Sequence, residues 1–248
     1  MLSVVIPIYN EEQRLHSTLE EVGRMLSSRH GGEYEIVCSD DGSTDQSPAI
    51  VREFARRFNI RLVQSPVNQG KGSAVVRGIL ATSGDPVFFF DADLSTPLAE
   101  MEGFLTELKD GADVVIGTRK HPRARIERPQ PLLRVWLGLR YTRLVNLMTG
   151  TRFSDYTCGF KAFRREAALA IFRRSLVRGW SFDAEILFLA ERLRFSVREI
   201  PVSWSDKEGS KVRLLHAVLG SFGELLKIRA NARNGHYRLE ERLDRVMH

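Results

Sequence analysis

Two carboxylates, Asp91 and Asp93, stand one residue apart directly after the apolar run Val87-Phe88-Phe89-Phe90. Like charges this close repel unless a cation or shared protons offset the cost. A hard divalent ion such as Mg²⁺ or Mn²⁺ takes carboxylate oxygens together with substrate phosphates, so the pair suits metal-held phosphate chemistry. A solvated Asp-x-Asp turn or a helix N-cap is the competing reading of the pair alone. Two other loops carry complementary groups. In Asp40-Asp41-Gly42-Ser43-Thr44-Asp45, the acids Asp40 and Asp41 could accept from a base or a ribose, while Ser43 and Asp45 suit a helix cap. In Asn68-Gln69-Gly70-Lys71-Gly72 the glycines allow close backbone approach at a helix start and Lys71 supplies a cation. The spacing before Lys71 is not that of a Walker motif.

The elements that must position these loops are legible as an alternation. Strand-like runs occur at 2–6, 34–38, 60–64, 87–90 and 112–116, separated by helical patterns at 12–26, 45–58, 72–81 and 98–109. Strands alternating with helices at this spacing predict a doubly wound, mostly parallel α/β sheet. Ligands bind such sheets beyond the carboxyl ends of the strands, where all three loops fall. After Gly117 the regularity ends. A basic loop with prolines runs to Gln130, followed by a helix over 131–150. A turn over Asp155–Lys161 precedes helices over 164–173 and 184–193, a strand over 197–204 and a basic helix from about Lys211 to Ala232. The 131–150 helix mixes leucines, Val135 and Trp136 with Arg134, Arg140 and Arg143 and contains no acid, a composition suited to a membrane interface or, in the competing reading, to packing on the sheet.

The 248 residues are 43% hydrophobic and 27% charged, an ordinary globular balance, with a net charge of +6 that points to an anionic partner. Without a Lys/Arg-rich tail or an RNA-stacking pattern, nucleic acid is not expected. The two cysteines suggest neither a disulfide framework nor a zinc site. The opening residues do not resemble a signal peptide, and no charge-free run is long enough to span a bilayer.

Taken in order, Val4-Val-Ile-Pro-Ile-Tyr-Asn-Glu11, Asp40-Asp-Gly-Ser-Thr-Asp45, Asn68-Gln-Gly-Lys-Gly72 and Asp91-Ala-Asp93 resemble the motifs of family 2 glycosyltransferases of the GT-A (Rossmann-like) fold. The resemblance covers the first 120 residues. It implies that Pro7, Tyr9, Glu11, Asp40, Asp41, Lys71, Asp91, Ala92 and Asp93 bind a nucleotide sugar, with Asp91 and Asp93 carrying Mg²⁺ or Mn²⁺ on its diphosphate. Further along, Asp155-x-x-Cys-Gly-Phe-Lys161, Trp180-x-Phe-Asp183-x-Glu185 and Trp204 followed by Glu208-Gly-Ser-Lys211 are similar to dolichyl-phosphate β-glucosyltransferases. That similarity implies transfer of glucose from UDP-glucose to a polyprenyl phosphate, with inversion.

An acceptor phosphate monoester has its second pKa near 6 and is already largely anionic at neutral pH, so a strong base is less necessary than for a sugar hydroxyl. Cations are needed instead. Arg119, Arg134, Arg140 and Lys161 are the expected acceptor-phosphate ligands, and Asp183, Asp155 and Lys211 the expected catalytic groups. The expected organisation is a donor half at 1–120, an acceptor half with amphipathic helices at 121–232 and a charged tail at 233–248. The chain is expected on the cytoplasmic face of a membrane as a peripheral protein, with self-association left open. A GDP-mannose-dependent polyprenyl-phosphate mannosyltransferase, a family 2 enzyme with a soluble acceptor and an inert nucleotide-sugar-binding protein are the alternatives.

Overall fold

The structure, a computed structural model, describes residues 1–207 and 214–238, with side chains for all of these except 214–219. The first half follows the alternation: β1 (Leu2–Ile8), α1 (Glu12–His30), β2 (Tyr34–Asp40), α2 (Ser47–Phe54), β3 (Ile60–Gln64), α3 (Lys71–Leu80), β4 (Val87–Phe90), α4 (Met101–Lys109) and β5 (Val114–Thr118). There follow β6 (Arg125–Arg128), α5 (Leu132–Thr149), β7 (Phe160–Phe163), α6 (Arg165–Phe172), α7 (Phe182–Arg192), β8 (Val197–Pro201), β9 (Ser203–Ser205) and α8 (Leu214–Arg233).

Seven strands form one sheet in the order β3-β2-β1-β4-β7-β5-β8. Every pairing is parallel except those of β7, which runs antiparallel to both β4 and β5. Successive side chains of a strand point to opposite faces, and this sheet is covered on both. Val4, Ile6, Phe88 and Phe90 face a core shared with Leu15, Leu19, Val51, Phe54 and Phe104 from α1, α2 and α4. Val5, Val87 and Phe89 face the other, built with Val75 and Ile79 of α3, Ile171 of α6, Ile186 and Leu189 of α7, Val145 of α5 and Leu225 of α8.

Three expectations need correction. The turn over Asp155–Lys161 runs into β7, whose Phe160 opposes Phe90 in register. The basic loop after Gly117 contains β6. The single strand over 197–204 is two: β8 extends the main sheet, whereas β9 leaves it to pair with β6. β7, drawn from the second half, is thus a central strand of the sheet that the first half begins. Among the described residues no helix is long and apolar enough to cross a membrane.

Candidate functional site

The Asp91 turn is fixed from three sides. Asp91 N donates to Gly159 O at 3.2 Å, Leu94 N donates back to Asp91 O at 3.2 Å, and Thr18 of α1 donates its hydroxyl to Ala92 O at 2.6 Å. Leu94 closes the turn at φ 48°, an uncommon conformation for a branched side chain. Gly159 is required for space. A Cβ there would lie 2.6 Å from Asp91 Cγ, and closer still to Oδ2. This contact exists because antiparallel β7 starts where parallel β4 ends.

Lys71, the first residue of α3, brings its Nζ to 2.5 Å from Asp91 Oδ1 and sits 5.6 Å from the Trp180 ring centroid. Burial acts to lower the Lys71 pKa, but the charges of Asp91 and Asp183 outweigh it and raise it. Asp41 sets the loop that presents Lys71. Buried, it accepts from Gln69 N at 3.1 Å and Gly70 N at 2.7 Å, with Arg77 3.4 Å away. Asp40 is fully buried and accepts from Ser43 N and Gln64 Nε2. Both acids therefore brace the loops that follow β2 and precede α3. Gly70, at φ 101°, and Gly72 pass so close beneath Arg178 O that a Cβ would stand 2.5 and 2.9 Å from it.

At the end of β1, Tyr9 is exposed while Asn10 N and Glu11 N donate to the Ser43 and Ser47 hydroxyls, both at 2.8 Å. Glu11 also pairs with Arg14 at 3.1 Å, and Pro7 lies opposite Ser39 in β2. These residues share the carboxyl edge with Asp91, because β1 lies between β2 and β4.

A second ionic cluster lies across Gly159. Arg119, at the end of β5, grips Asp155 with Nε at 2.7 Å and Nη2 at 2.9 Å, and its guanidinium lies 5.3 Å from the Trp204 ring. Burial alone would raise the Asp155 pKa. Arg119, with Lys120 behind it, outweighs that and holds the carboxyl well below the usual carboxylate range. Asp155 is thus held as the ionised partner of Arg119. Lys161 corrects a further expectation. It is wholly buried, donating to Tyr156 O, Cys158 O and Asp183 Oδ1 at 3.0, 2.7 and 2.6 Å, so it is closed to an acceptor phosphate. Burial raises the Asp183 pKa, against the pull of Lys161 and Lys71. Burial also pushes the Cys158 thiol up to about 11.

Arg134 and Arg140 lie out on α5, 4.0 Å from Asp206 and 4.9 Å from the Trp136 ring respectively. Lys211 lies outside the described residues. Two further groups, Lys120 and the motif residue Glu185, carry no role in the sequence reading. Lys120 ties the end of β5 to α5 by donating to Thr142 Oγ1 at 2.5 Å, and burial, foremost, lowers its pKa. Glu185, fully buried, gathers Leu176 N, Val177 N and the hydroxyls of Ser175 and Tyr237, and so fixes the segment that overlies Gly70 and Gly72. A Glu two residues after Asp183 on one helix was the available signal; Ser175, Leu176 and Val177 lie 8 to 10 residues before it, and only Tyr237 is remote in sequence.

Among the described residues, no three His, Cys, Asp or Glu side chains converge as a metal site. Asp91 and Asp93, the latter accepting from Ser95 N at 2.9 Å, offer a hard-oxygen pair that would need substrate phosphates to complete a divalent site. That donor set fits Mg²⁺ or Mn²⁺, and a cationic ammonium already rests against one of its oxygens.

Residues 3–172 match the family model described as Glycosyl transferase family 2. Dolichyl-phosphate beta-glucosyltransferase ALG5A of Trichomonas vaginalis is 35% identical over 251 residues, spanning 97% of this chain and 76% of that protein. The human dolichyl-phosphate beta-glucosyltransferase is 32% identical across 97% of this chain and 78% of its own length. The Saccharomyces cerevisiae protein of that name is 35% identical across 96% and 76%. Among solved structures, glucosyl-3-phosphoglycerate synthase from Mycobacterium tuberculosis, in complex with Mn²⁺ and UDP-glucose, superposes with a TM-score of 0.67 at 22% identity, covering 92% of this chain and 78% of that one. The same enzyme with Mg²⁺ and UDP gives 0.66. These structures share the GT-A architecture of this sheet, and by the extent of its matched sequence the chain belongs to glycosyl transferase family 2.

Proposed function

We propose that this protein is a metal-dependent inverting glucosyltransferase that moves glucose from UDP-glucose onto a dolichyl-type polyprenyl phosphate at a membrane surface. The observation that carries the reading is the junction of a phosphate-handling site with an apolar, arginine-rich surface. Lys120 at the site edge bonds α5, whose Leu132, Leu133, Val135, Trp136, Leu139 and Leu147 are exposed. At 100° per residue these six fall within an arc of about 160°, together with Arg140 and Arg143. Such a face suits a lipid boundary, with arginines at the head groups. The names of the 32–35% identical relatives support glucose as the sugar and dolichyl phosphate as the acceptor.

In this reading the N-terminus of α3, with Lys71, receives the donor diphosphate. Asp91 and Asp93 hold Mg²⁺ or Mn²⁺, which when bound neutralises charge developing on the leaving diphosphate. An acceptor phosphate oxygen forms the new bond to the anomeric carbon as the bond to UDP breaks, and the electron pair leaves with UDP. UDP-glucose is α-linked, so backside attack gives the β anomer named for the relatives. Since the acceptor is already anionic, no general base is required. Arg119, oriented by Asp155, and Lys120 face the acceptor side, with Arg134 and Arg140 drawing the lipid phosphate in from the surface. Asp183, bonded to Lys161 and in the electrostatic reach of Lys71 and Asp91, is the carboxylate assigned in this reading to the sugar side of the site. The division at residue 120 is then one of roles within a single sheet, and the location a cytoplasmic membrane face.

A donor panel tests this. Purified protein, Mg²⁺ or Mn²⁺ and a short polyprenyl phosphate are incubated with radiolabelled UDP-glucose, GDP-mannose or UDP-N-acetylglucosamine. Label should enter the organic phase from UDP-glucose. Label from GDP-mannose alone would overturn the donor, and none from any donor the lipid acceptor.

A further inference from the structure

Lys71 stands where a cation is least welcome. It opens α3, at the positive end of the helix dipole, and the first turn carries no acidic residue to offset it. Its counter-ion comes from elsewhere in the chain, as Asp91 Oδ1 at 2.5 Å. Asp183 also acts on Lys71 electrostatically but is already bonded to Lys161 at 2.6 Å. The backbone beneath Lys71 has no room to follow a moving side chain. Gly70 and Gly72 abut Arg178 O, and Ser73 N donates to the same carbonyl at 3.3 Å. On the lysine side of the pair, any change is therefore a swing of the four-carbon stem.

Resting on the metal and UDP assignment above, we propose that Lys71 competes with the divalent ion for the Asp91 carboxylate, so that ion and nucleotide diphosphate bind this chain as a coupled pair. Two cations on one carboxylate repel, so an ion taken up by Asp91 displaces the ammonium from Oδ1. The displaced ammonium, at a helix N-terminus, then needs another anion, and the diphosphate is one. Conversely, a diphosphate that draws Lys71 away bares Asp91 for the ion. Each ligand removes part of the other's cost, and linkage makes the effect reciprocal. The site thus resists loading with metal alone or nucleotide alone.

The test reads binding rather than turnover. Mn²⁺ is titrated without nucleotide into wild type, Lys71→Met, Lys71→Gln and Asp91→Asn, with free Mn²⁺ followed by electron paramagnetic resonance and folding checked by thermal melts. UDP binding is measured by calorimetry with and without Mn²⁺. Wild type should show mutual tightening by Mn²⁺ and UDP. Both Lys71 variants should bind Mn²⁺ alone about tenfold more tightly, with the mutual effect shrunken. Unchanged or weaker Mn²⁺ binding by the Lys71 variants, with binding lost in Asp91→Asn, would overturn the competition and leave the metal site standing. Mn²⁺ binding that survives Asp91→Asn would sink the metal assignment and the competition together. Independent binding of Mn²⁺ and UDP to wild type would refute the coupling whatever the variants do.

Discussion

Gly159→Ala is a one-carbon change aimed at the metal carboxylate. The Gly159 backbone is not among the positive-φ positions, so alanine can adopt it without conformational strain. What alanine lacks is space: its Cβ would sit 2.6 Å from Asp91 Cγ, where ordinary van der Waals contact begins at 3.4 Å. The carboxylate must retreat by at least about 0.8 Å at Cγ and further at Oδ2, which would lie closer still. Its side chain is 34% exposed, so it can swing toward solvent without disturbing the core. Stability should therefore change by less than about 1 kcal/mol. Function should not escape, because a misplacement near 1 Å at a reacting constellation costs on the order of 10²-fold in rate. The assay pairs glucosyl transfer from UDP-glucose at saturating Mn²⁺ with a thermal melt. A folded variant whose turnover stays within about threefold of wild type would refute the reasoning that Gly159 seats Asp91 for its role.

Asp155→Asn should lower stability by about 3 kcal/mol in chemical denaturation, because it leaves the Arg119 guanidinium poorly compensated in a buried place. The folded pKa of Asp155 is depressed, so the pair's contribution is complete above the unfolded carboxylate value of about 3.9 and is lost as pH falls through the lower folded value. The acid limb of the wild-type stability profile should accordingly flatten in Asp155→Asn, and an unchanged limb would disprove the assignment. Glu185→Ala unties Leu176 N, Val177 N and the Tyr237 hydroxyl at once. It should cost about 3 kcal/mol and raise the KM for UDP-glucose, since the released segment overlies Gly70 and Gly72. Trp136→Glu combined with Leu139→Glu should weaken co-sedimentation with anionic vesicles by at least about tenfold while UDP binding is kept. Wild-type-like sedimentation would favour a soluble acceptor.

The sequence by itself determined the sheet of the first half and the location of the chemistry. Val87–Phe90 is apolar without alternation because both faces of β4 are buried, and its end is marked by the two acids Asp91 and Asp93. Local signals of this kind are written in consecutive residues. The second half was legible as motifs but not as geometry. Asp155-Tyr-Thr-Cys-Gly-Phe-Lys reads as a turn because nothing local reveals that Phe160 will pair with Phe90 across an antiparallel strand. That pairing seats Gly159 on Asp91 and buries Lys161 behind it. Charged residue types likewise showed where ionic chemistry is concentrated but not which charges are already spoken for. Arg119 is held by Asp155, Lys161 by Asp183, and Asp41 by the Gly70 loop, with partners 28 to 36 residues away for the first and last of these. A charge is available to a ligand only if no folded neighbour satisfies it, and that depends on long-range packing. Tertiary structure therefore decided which members of the expected site face the substrate and which hold the site in shape.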